Sequence, residues 1–386
     1  MMDENGGRTL WPGEAESQLG WWLRLPPVNL IDRGDVLRFR YALYLIAGQV
    51  CAALYGLNGR SLELSYPSSL QDTRTTLDRL SVAPPCSGER LTATIAATDA
   101  REAWGIAAAL IADTLTLSVH TSQTEQASSP MAHAGSDRLR KDAETFVSLL
   151  SSLSGVEAVA LSGSLARGLA DRSSDVDIAV FCRELPPPAD RRTALHRMSG
   201  VRRLLTEPAC DTLWSDAILV HIRYWRAGDV DRLVAPIRTL PDLFLAEALQ
   251  ECRSLFDPQN RLTEWKTLLR QSLPKLSDSV AQQTKDRRTV FSLLWEKAVN
   301  RNDHVHLYCL ANQIVNDFLM TLYVFHDRFM TTPKWVYKDI PQMATAPPQT
   351  LSRLEAIAGP IRDVSSAAAR KNDMDALWAE LPSIRP

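Results

Sequence analysis

The chain has 386 residues, of which 45% are hydrophobic and 23% are charged, proportions typical of soluble globular proteins. A formal net charge of −2 argues against a general affinity for nucleic acids or anionic membrane surfaces. The length is sufficient for more than one domain. We therefore expect a multidomain protein without nucleic-acid or membrane partners, whose oligomeric state the sequence leaves open.

The cysteine pattern predicts a cytoplasmic protein with reduced thiols. The six cysteines are far apart, and no pair has the CxxC spacing of a redox or zinc site. The start of the chain also lacks the apolar core of a signal peptide. The cysteines are Cys51, Cys86, Cys182, Cys210, Cys252 and Cys309.

Residues 1–120 are predicted to form a helical N-terminal domain. An almost wholly apolar run, Tyr41–Leu57, is slightly short for a membrane span and contains Gln49, so we expect a buried helix in a bundle. A second long helix is predicted over Asp99–His120, with Asp99 as its N-cap. The alternation typical of strands is not evident between residues 30 and 120.

Residues 121–136 are predicted to be a linker, because they are rich in Ser and Thr and lack periodicity. Residues 137–262 then combine an amphipathic helix with three predicted strands, Val156–Gly163, Val176–Phe181 and Ala217–Trp225. This mixture indicates a compact domain that contains both helices and strands.

Two further patterns complete the prediction of the fold. The segment Pro186–Leu205 is interpreted as a proline-led turn followed by one helix. Residues 263–386 are predicted to form a helical bundle. The expected fold class is α+β, with a central sheet and helical domains on either side of it in the sequence.

The stretch "GSLARGLADRSSDVDIAVF" contains two carboxylates, Asp175 and Asp177, at the start of a predicted strand. Residues i and i+2 of a strand share a face, so both carboxylates point the same way. Two like charges this close are stable when they bind a divalent cation, and Mg²⁺ suits carboxylate and phosphate oxygens. Both residues are therefore candidate metal ligands and catalytic residues.

A Gly-Ser pair precedes the carboxylates by ten residues and is a candidate phosphate-binding turn. Gly163 permits close approach of a ligand to the backbone, and the Ser164 hydroxyl and nearby N–H groups can bind phosphate oxygens. Arg167 offers charge-assisted contacts to phosphate. Ser174 directly precedes the first carboxylate and can orient the loop.

This combination resembles the signature of the nucleotidyltransferase superfamily, Gly-Ser followed after about ten residues by Asp-x-Asp. The stretch is similar to the antibiotic-modifying and minimal branches, and the helical C-terminal region resembles the bundle of kanamycin-type enzymes. The resemblance implies a mixed sheet with helices, a magnesium cofactor and an NTP co-substrate, with ATP expected. It also implies transfer of a nucleoside monophosphate to a hydroxyl of a small molecule, such as an antibiotic or a metabolite, with release of pyrophosphate.

The sequence departs from this family in its third carboxylate, which the resemblance places on the next antiparallel strand. In the strand Ala217–Trp225, the position that faces the site is His221, which is therefore a candidate catalytic residue. Alternatively, Asp216 or Asp211 supplies the charge, or the site binds a nucleotide without turnover. Two further functions thus remain open: transfer of AMP to a protein, as in toxin–antitoxin systems, and an inactive nucleotide-binding module.

Overall fold

The computed structural model describes residues 18–20, 22–23, 27–59, 73–118, 136–170, 174–198, 200–215, 218–234, 240–330 and 333–381. The chain divides into two compact units. The first unit, the helical unit, comprises residues 1–126, 280–322 and 332–386. The second, the sheet unit, comprises residues 127–279 and 323–331.

Helices dominate both ends of the chain, and the strands lie between them. The N-terminal helices are α1 (Val28–Asp32), α2 (Val36–Leu57), α3 (Thr73–Asp78), α4 (Ser87–Ala96) and α5 (Ala100–Ser118). The sheet unit contains α6 (Ser136–Ser151), β1 (Val156–Ser162), α7 (Gly163–Ala166), β2 (Val176–Cys182), α8 (Pro188–Leu195), β3 (Val201–Glu207), β4 (Cys210–Ser215), β5 (Ile218–Arg226), α9 (Ala227–Val234), α10 (Leu240–Glu251) and β6 (Arg253–Phe256). The later helices are α11 (Arg261–Asn300), α12 (His304–Phe325), α13 (Val336–Asp339), a 3₁₀ turn (Ile340–Gln342), α14 (Thr350–Ala358) and α15 (Ser365–Glu380).

The apolar run Tyr41–Leu57 lies in α2, and most of its side chains are buried, as predicted for a core helix. A hydrogen bond of 2.9 Å from the Tyr308 hydroxyl to the carbonyl of Arg40 joins α12 to α2. Among the described residues, no helix combines the length and the hydropathy that crossing a bilayer requires.

The six strands form one mixed sheet in the order β3-β4-β5-β2-β1-β6. All neighbouring strands are antiparallel except β2 and β5, which are parallel. This corrects the antiparallel relation that the family resemblance implied for the strand bearing His221. After β2 the chain crosses through α8 to the far edge, and β3 and β4 then return it to β5 in the direction of β2.

The segment Pro186–Leu205 also differs from its prediction as a turn and one helix. The helix α8 ends at Leu195, Gly200 has a φ of 86°, and the chain then forms the edge strand β3. The following hairpin strand, β4, had no predicted counterpart.

Alternation along β2 gives one wholly apolar face and a second face that is polar only at Asp177. Val176, Ile178 and Val180 belong to the core cluster, together with Phe146 and Leu150 of α6. The opposite face carries Asp177 and, further along β2, Phe181, whose ring centroid lies 5.5 Å from that of Trp265 on α11. The polar end of this second face is therefore the part of β2 where carboxylates and a ligand can meet.

The observed architecture confirms the predicted fold class of a mixed sheet with helices before and after it in the sequence. The four-part division, 1–120, 121–136, 137–262 and 263–386, stays a prediction. Most of the proposed linker lies outside the described residues. A boundary between the two compact units falls within α11, after Ser279.

Asp317 on α12 is a buried carboxylate in the core of the helical unit. Its exposed fraction is 3%, and one of its oxygens lies 3.2 Å from the guanidinium of Arg287 on α11. Burial raises the pKa of Asp317 to about 6, although the charge of Arg287 acts in the opposite direction.

We expect Asp317 to make the protein less stable as the pH rises from about 4 to about 7. The folded state holds this proton more tightly than the unfolded chain, so deprotonation lowers the free energy of unfolding, by on the order of 3 kcal/mol. In denaturant unfolding over this pH range, the free energy of unfolding of Asp317→Asn should not show this decrease. The matched control is Asp278→Asn, at an exposed position on α11. Equal pH dependence in Asp317→Asn and the wild type would contradict the assignment.

Candidate active site

The turn between β1 and α7 brings the backbone into contact with a carboxylate. Gly163 has a φ of +60°, a conformation that side-chain-bearing residues rarely adopt. A Cβ atom at this position would lie 2.1 Å from Oδ2 of Asp177, far inside the van der Waals limit. Ser162 is paired with Asp177 across β1 and β2, which fixes this approach. Only glycine allows the turn and the Asp177 carboxylate to occupy adjoining space.

Ser164, the second residue of α7, is 2% exposed. Its hydroxyl is buried and has no hydrogen-bond partner within the described part of the chain. Buried hydroxyl groups normally have a partner, so this one is suited to an oxygen of a bound ligand. Its carbonyl accepts a hydrogen bond of 2.9 Å from the N–H of Leu169, which holds the loop after α7.

The structure brings Asp175, Asp177 and His221 together at one edge of the sheet. Asp177 and His221 are paired residues of the parallel strands β2 and β5. The Nε2 atom of His221 lies 3.7 Å from Oδ2 of Asp175, and both side chains are partly exposed. The site therefore has two carboxylates and one imidazole that solvent or a ligand can reach.

Thr212 orients the imidazole and was not identified from the sequence. It is paired with His221 across β4 and β5, and its hydroxyl lies 3.1 Å from Nδ1 of the ring. This hydrogen bond fixes the ring with Nε2 towards Asp175. The residue could have been found only by predicting β4 and its register with β5.

The structure says less about Arg167 and Ser174, the other two residues that were predicted to contact phosphate. Arg167 forms an ion pair of 3.6 Å with Glu251 of α10, and its side chain is 7% exposed. Glu251 also lies 3.6 Å from Arg328. Ser174 is half-buried beside Asp175, after a short stretch, 171–173, that lies outside the described residues. The phosphate-binding roles of Arg167 and Ser174 stay predictions.

Asp211 lies on the apolar face of the sheet, opposite His221, so it is not the missing third carboxylate. It is paired with Ile222 on β5, is fully buried, and lies 3.7 Å from the guanidinium of Arg191. Burial raises its pKa, and this effect exceeds the opposing effects of Tyr224 and Arg191. The other alternative, Asp216, lies outside the described residues.

The donor set fits a divalent cation that is shared with a phosphate ligand. No group of three or more His, Cys, Asp or Glu side chains is arranged to hold a metal ion by itself, as far as the structure describes the chain. Two neighbouring carboxylates that leave several positions for phosphate and water oxygens are typical of Mg²⁺ sites in nucleotide-using enzymes. Asp175 and Asp177 provide such a pair beside the Gly163 turn.

Comparison with known protein families bears on this arrangement. Residues 143–218 match the family model of the nucleotidyltransferase domain. The chain contains a nucleotidyltransferase domain. The match extends from α6 to the start of β5 and includes the turn at Gly163 and both carboxylates. The reaction class of this domain is the transfer of a nucleoside monophosphate.

Other comparisons say less about the protein. Residues 238–336 match a domain of unknown function, DUF4037. A solved structure of a nucleotidyltransferase-like protein from Exiguobacterium sibiricum aligns with 64% of this chain and 75% of its own, at 10% identity and a TM-score of 0.29. A likeness of that size carries no weight for fold or function. The curated proteins include no match to this chain.

We expect Gly163→Ala to reduce nucleotidyl transfer by at least ~100-fold, because the new methyl group displaces the Asp177 carboxylate. Gly168→Ala is the matched control, since Gly168 has a φ of +69° but a Cβ atom there would have no other described residue within 4 Å beyond its chain neighbours. Both variants incur the backbone strain of about 1–2 kcal/mol, and only one has the collision. Turnover and melting temperature of both should be measured. Equal losses of turnover would show that the close approach to Asp177 is unimportant.

Proposed function

We propose that this protein transfers a nucleoside monophosphate, AMP from ATP, to a hydroxyl group of a small molecule in a magnesium-dependent reaction. The observation that supports this most directly is the contact of the Asp177 carboxylate with the Gly163 turn, beside Asp175. This arrangement places cation-binding oxygens next to a backbone that can approach a triphosphate.

The metal would be held by Asp175 and Asp177, and the β- and γ-phosphates by the turn at Gly163 and Ser164. When bound, Mg²⁺ supplies charge neutralisation on the phosphate oxygens. The chain's own part is to hold the triphosphate against the turn. The unpartnered Ser164 hydroxyl supports this role, since a phosphate oxygen would satisfy it.

His221 would act as the general base. For Nε2 to accept a proton, Nδ1 must carry the ring hydrogen and donate it to the Thr212 hydroxyl oxygen, 3.1 Å away. The acceptor's hydroxyl proton passes to Nε2, its oxygen bonds to the α-phosphorus, and the bond from that phosphorus to the leaving oxygen breaks to release pyrophosphate. Asp175, 3.7 Å from Nε2, stabilises the imidazolium that forms.

Composition supports a small-molecule acceptor and a cytoplasmic location. The net charge of −2 provides no general attraction for nucleic acid. All six cysteines are free thiols, as expected in a reducing compartment.

The alternative of a nucleotide-binding module without turnover is favoured by one observation. The residue paired with Asp177 is His221 rather than a carboxylate. Incubation with Mg²⁺ and each labelled NTP, with small hydroxylated compounds or a cell lysate as acceptor, separates the candidates. A labelled small molecule supports the proposal, a labelled protein supports transfer of AMP to proteins, and nucleotide-induced stabilisation without transfer supports the inactive module.

Asp177→Asn should reduce the transfer of label from ATP by more than ~100-fold, because a cation that neutralises the triphosphate loses a charged ligand. Thermal stabilisation by Mg²⁺ with ATP should also decrease. Asp190→Asn, at an exposed position of α8 in the same unit, is the control and should behave like the wild type. Undiminished transfer by Asp177→Asn would overturn the assignment of the site.

His221→Asn should reduce kcat by ~100-fold or more, whereas His221→Asp should retain more activity because it restores a carboxylate base. The nearly isosteric Asn and Asp variants differ mainly in charge. Similar kcat values for these two variants would show that residue 221 is not the base.

A further inference from the structure

The helical unit contains a cavity at some distance in sequence from the nucleotidyltransferase site. It lies among α11, α12, α14 and α15, and its space, including the open mouth, is about 390 Å³. Small-ligand sites are mostly apolar with a few placed polar groups, and the lining here has that character. The apolar walls include Phe291, Ala311, Ile314 and Met374.

Two indole N–H groups in the walls have no acceptor among the described residues. Trp295 and Trp378 both line the cavity, and the Nε1 atom of each is buried without a hydrogen-bond partner in the described parts of the protein. Trp295 is only 3% exposed. Buried indole donors usually find a partner, and leaving one unpaired costs about 1–3 kcal/mol. Two such donors beside one cavity suggest that a ligand supplies the acceptors.

The ring of Trp378 is held on two sides. The ring of Phe318 meets it edge-on at 5.4 Å, and the guanidinium of Arg288 lies over it at 4.9 Å from the ring centroid. Arg288 also lies 3.6 Å from Asp375. The indole is therefore positioned before any ligand binds, which lowers the entropic cost of binding.

Positive charge predominates among the residues that line the cavity. Arg288, Arg370 and Lys371 are cationic, and Asp375 is the one carboxylate among the lining residues. Asp375 lies 3.0 Å from Lys371 and so is already paired. Arg370 donates to the carbonyls of Ile357, Gly359 and Pro360, and the carboxylate that acts on its charge, that of Asp363, is not among the lining residues. An anionic ligand would supply a neutralising charge there.

We propose that this cavity binds a small planar aromatic acid, whose ring lies between the apolar walls and whose carboxylate meets the indole N–H groups and the arginines. The site goes beyond the proposed transfer reaction and does not depend on it. An aromatic body matches the tryptophan and phenylalanine surfaces, and the acid group matches the excess of donors and of positive charge.

Calorimetric titration with 2-naphthoate, compared with the neutral 2-naphthamide, tests the proposal on the intact chain. We expect one site per chain and at least about tenfold tighter binding of the acid, because hydrogen bonds to a charged acceptor are the stronger ones. Trp295→Phe and Trp378→Phe keep a ring but remove one N–H donor, and each should weaken binding by about tenfold. Asp177→Asn should bind 2-naphthoate like the wild type, which separates this site from the transfer reaction.

Two further variants locate the site. Ala311→Phe should abolish binding by filling the cavity, and Leu293→Ala, at a residue of α11 that is 59% exposed, should leave binding unchanged. If Ala311→Phe does not fold, binding of 2-naphthoate by Trp295→Phe and Trp378→Phe still tests whether the cavity is the site. No binding, binding that is equal for acid and amide, or binding that both tryptophan variants leave intact would overturn the proposal.

Discussion

The candidate active site depends on one close approach, that of the Asp177 carboxylate to the backbone at Gly163. The approach requires a residue without a Cβ atom, because that atom would lie 2.1 Å from a carboxylate oxygen. It also requires a positive φ at the end of β1, which glycine adopts without strain. The pairing of Ser162 with Asp177 then sets the distance between the turn and the carboxylate. The turn proposed to bind phosphate and the carboxylates proposed to bind a cation thereby share one corner of the site.

The sheet topology decides which side chain lies beside the two carboxylates. Because β5 lies parallel to β2 in the register that pairs Asp177 with His221, an imidazole occupies the position next to the carboxylates. The same alternation carries Asp211 to the apolar face, where it meets Arg191 instead of a ligand. A strand has only two faces, so a shift of one residue in β4 or β5 would exchange these roles.

The helical unit contains polar groups that its core does not fully satisfy. Asp317 has an arginine partner yet is hard to ionise there, and the indole donors of Trp295 and Trp378 have no acceptor among the described residues. Unsatisfied polar groups in a packed interior are costly, and those that line a cavity are where a ligand can recover the lost free energy.

Local sequence patterns predicted the fold class, which the structure confirms, and most residues of the candidate site, whose roles stay predictions. The spacing of Gly163, Ser164, Asp175 and Asp177 is local, and the geometry of a strand, a tight turn and a second strand follows from it. The apolar run in α2 predicted a buried helix, because an almost wholly apolar run that is short for a membrane span is typical of a core helix. Three features became visible only in the folded chain: β3 and β4 are strands, β5 runs parallel to β2, and Thr212 orients His221. Those features depend on pairing between distant segments, and the short, partly polar strands involved carry too little local pattern to reveal which residues face each other.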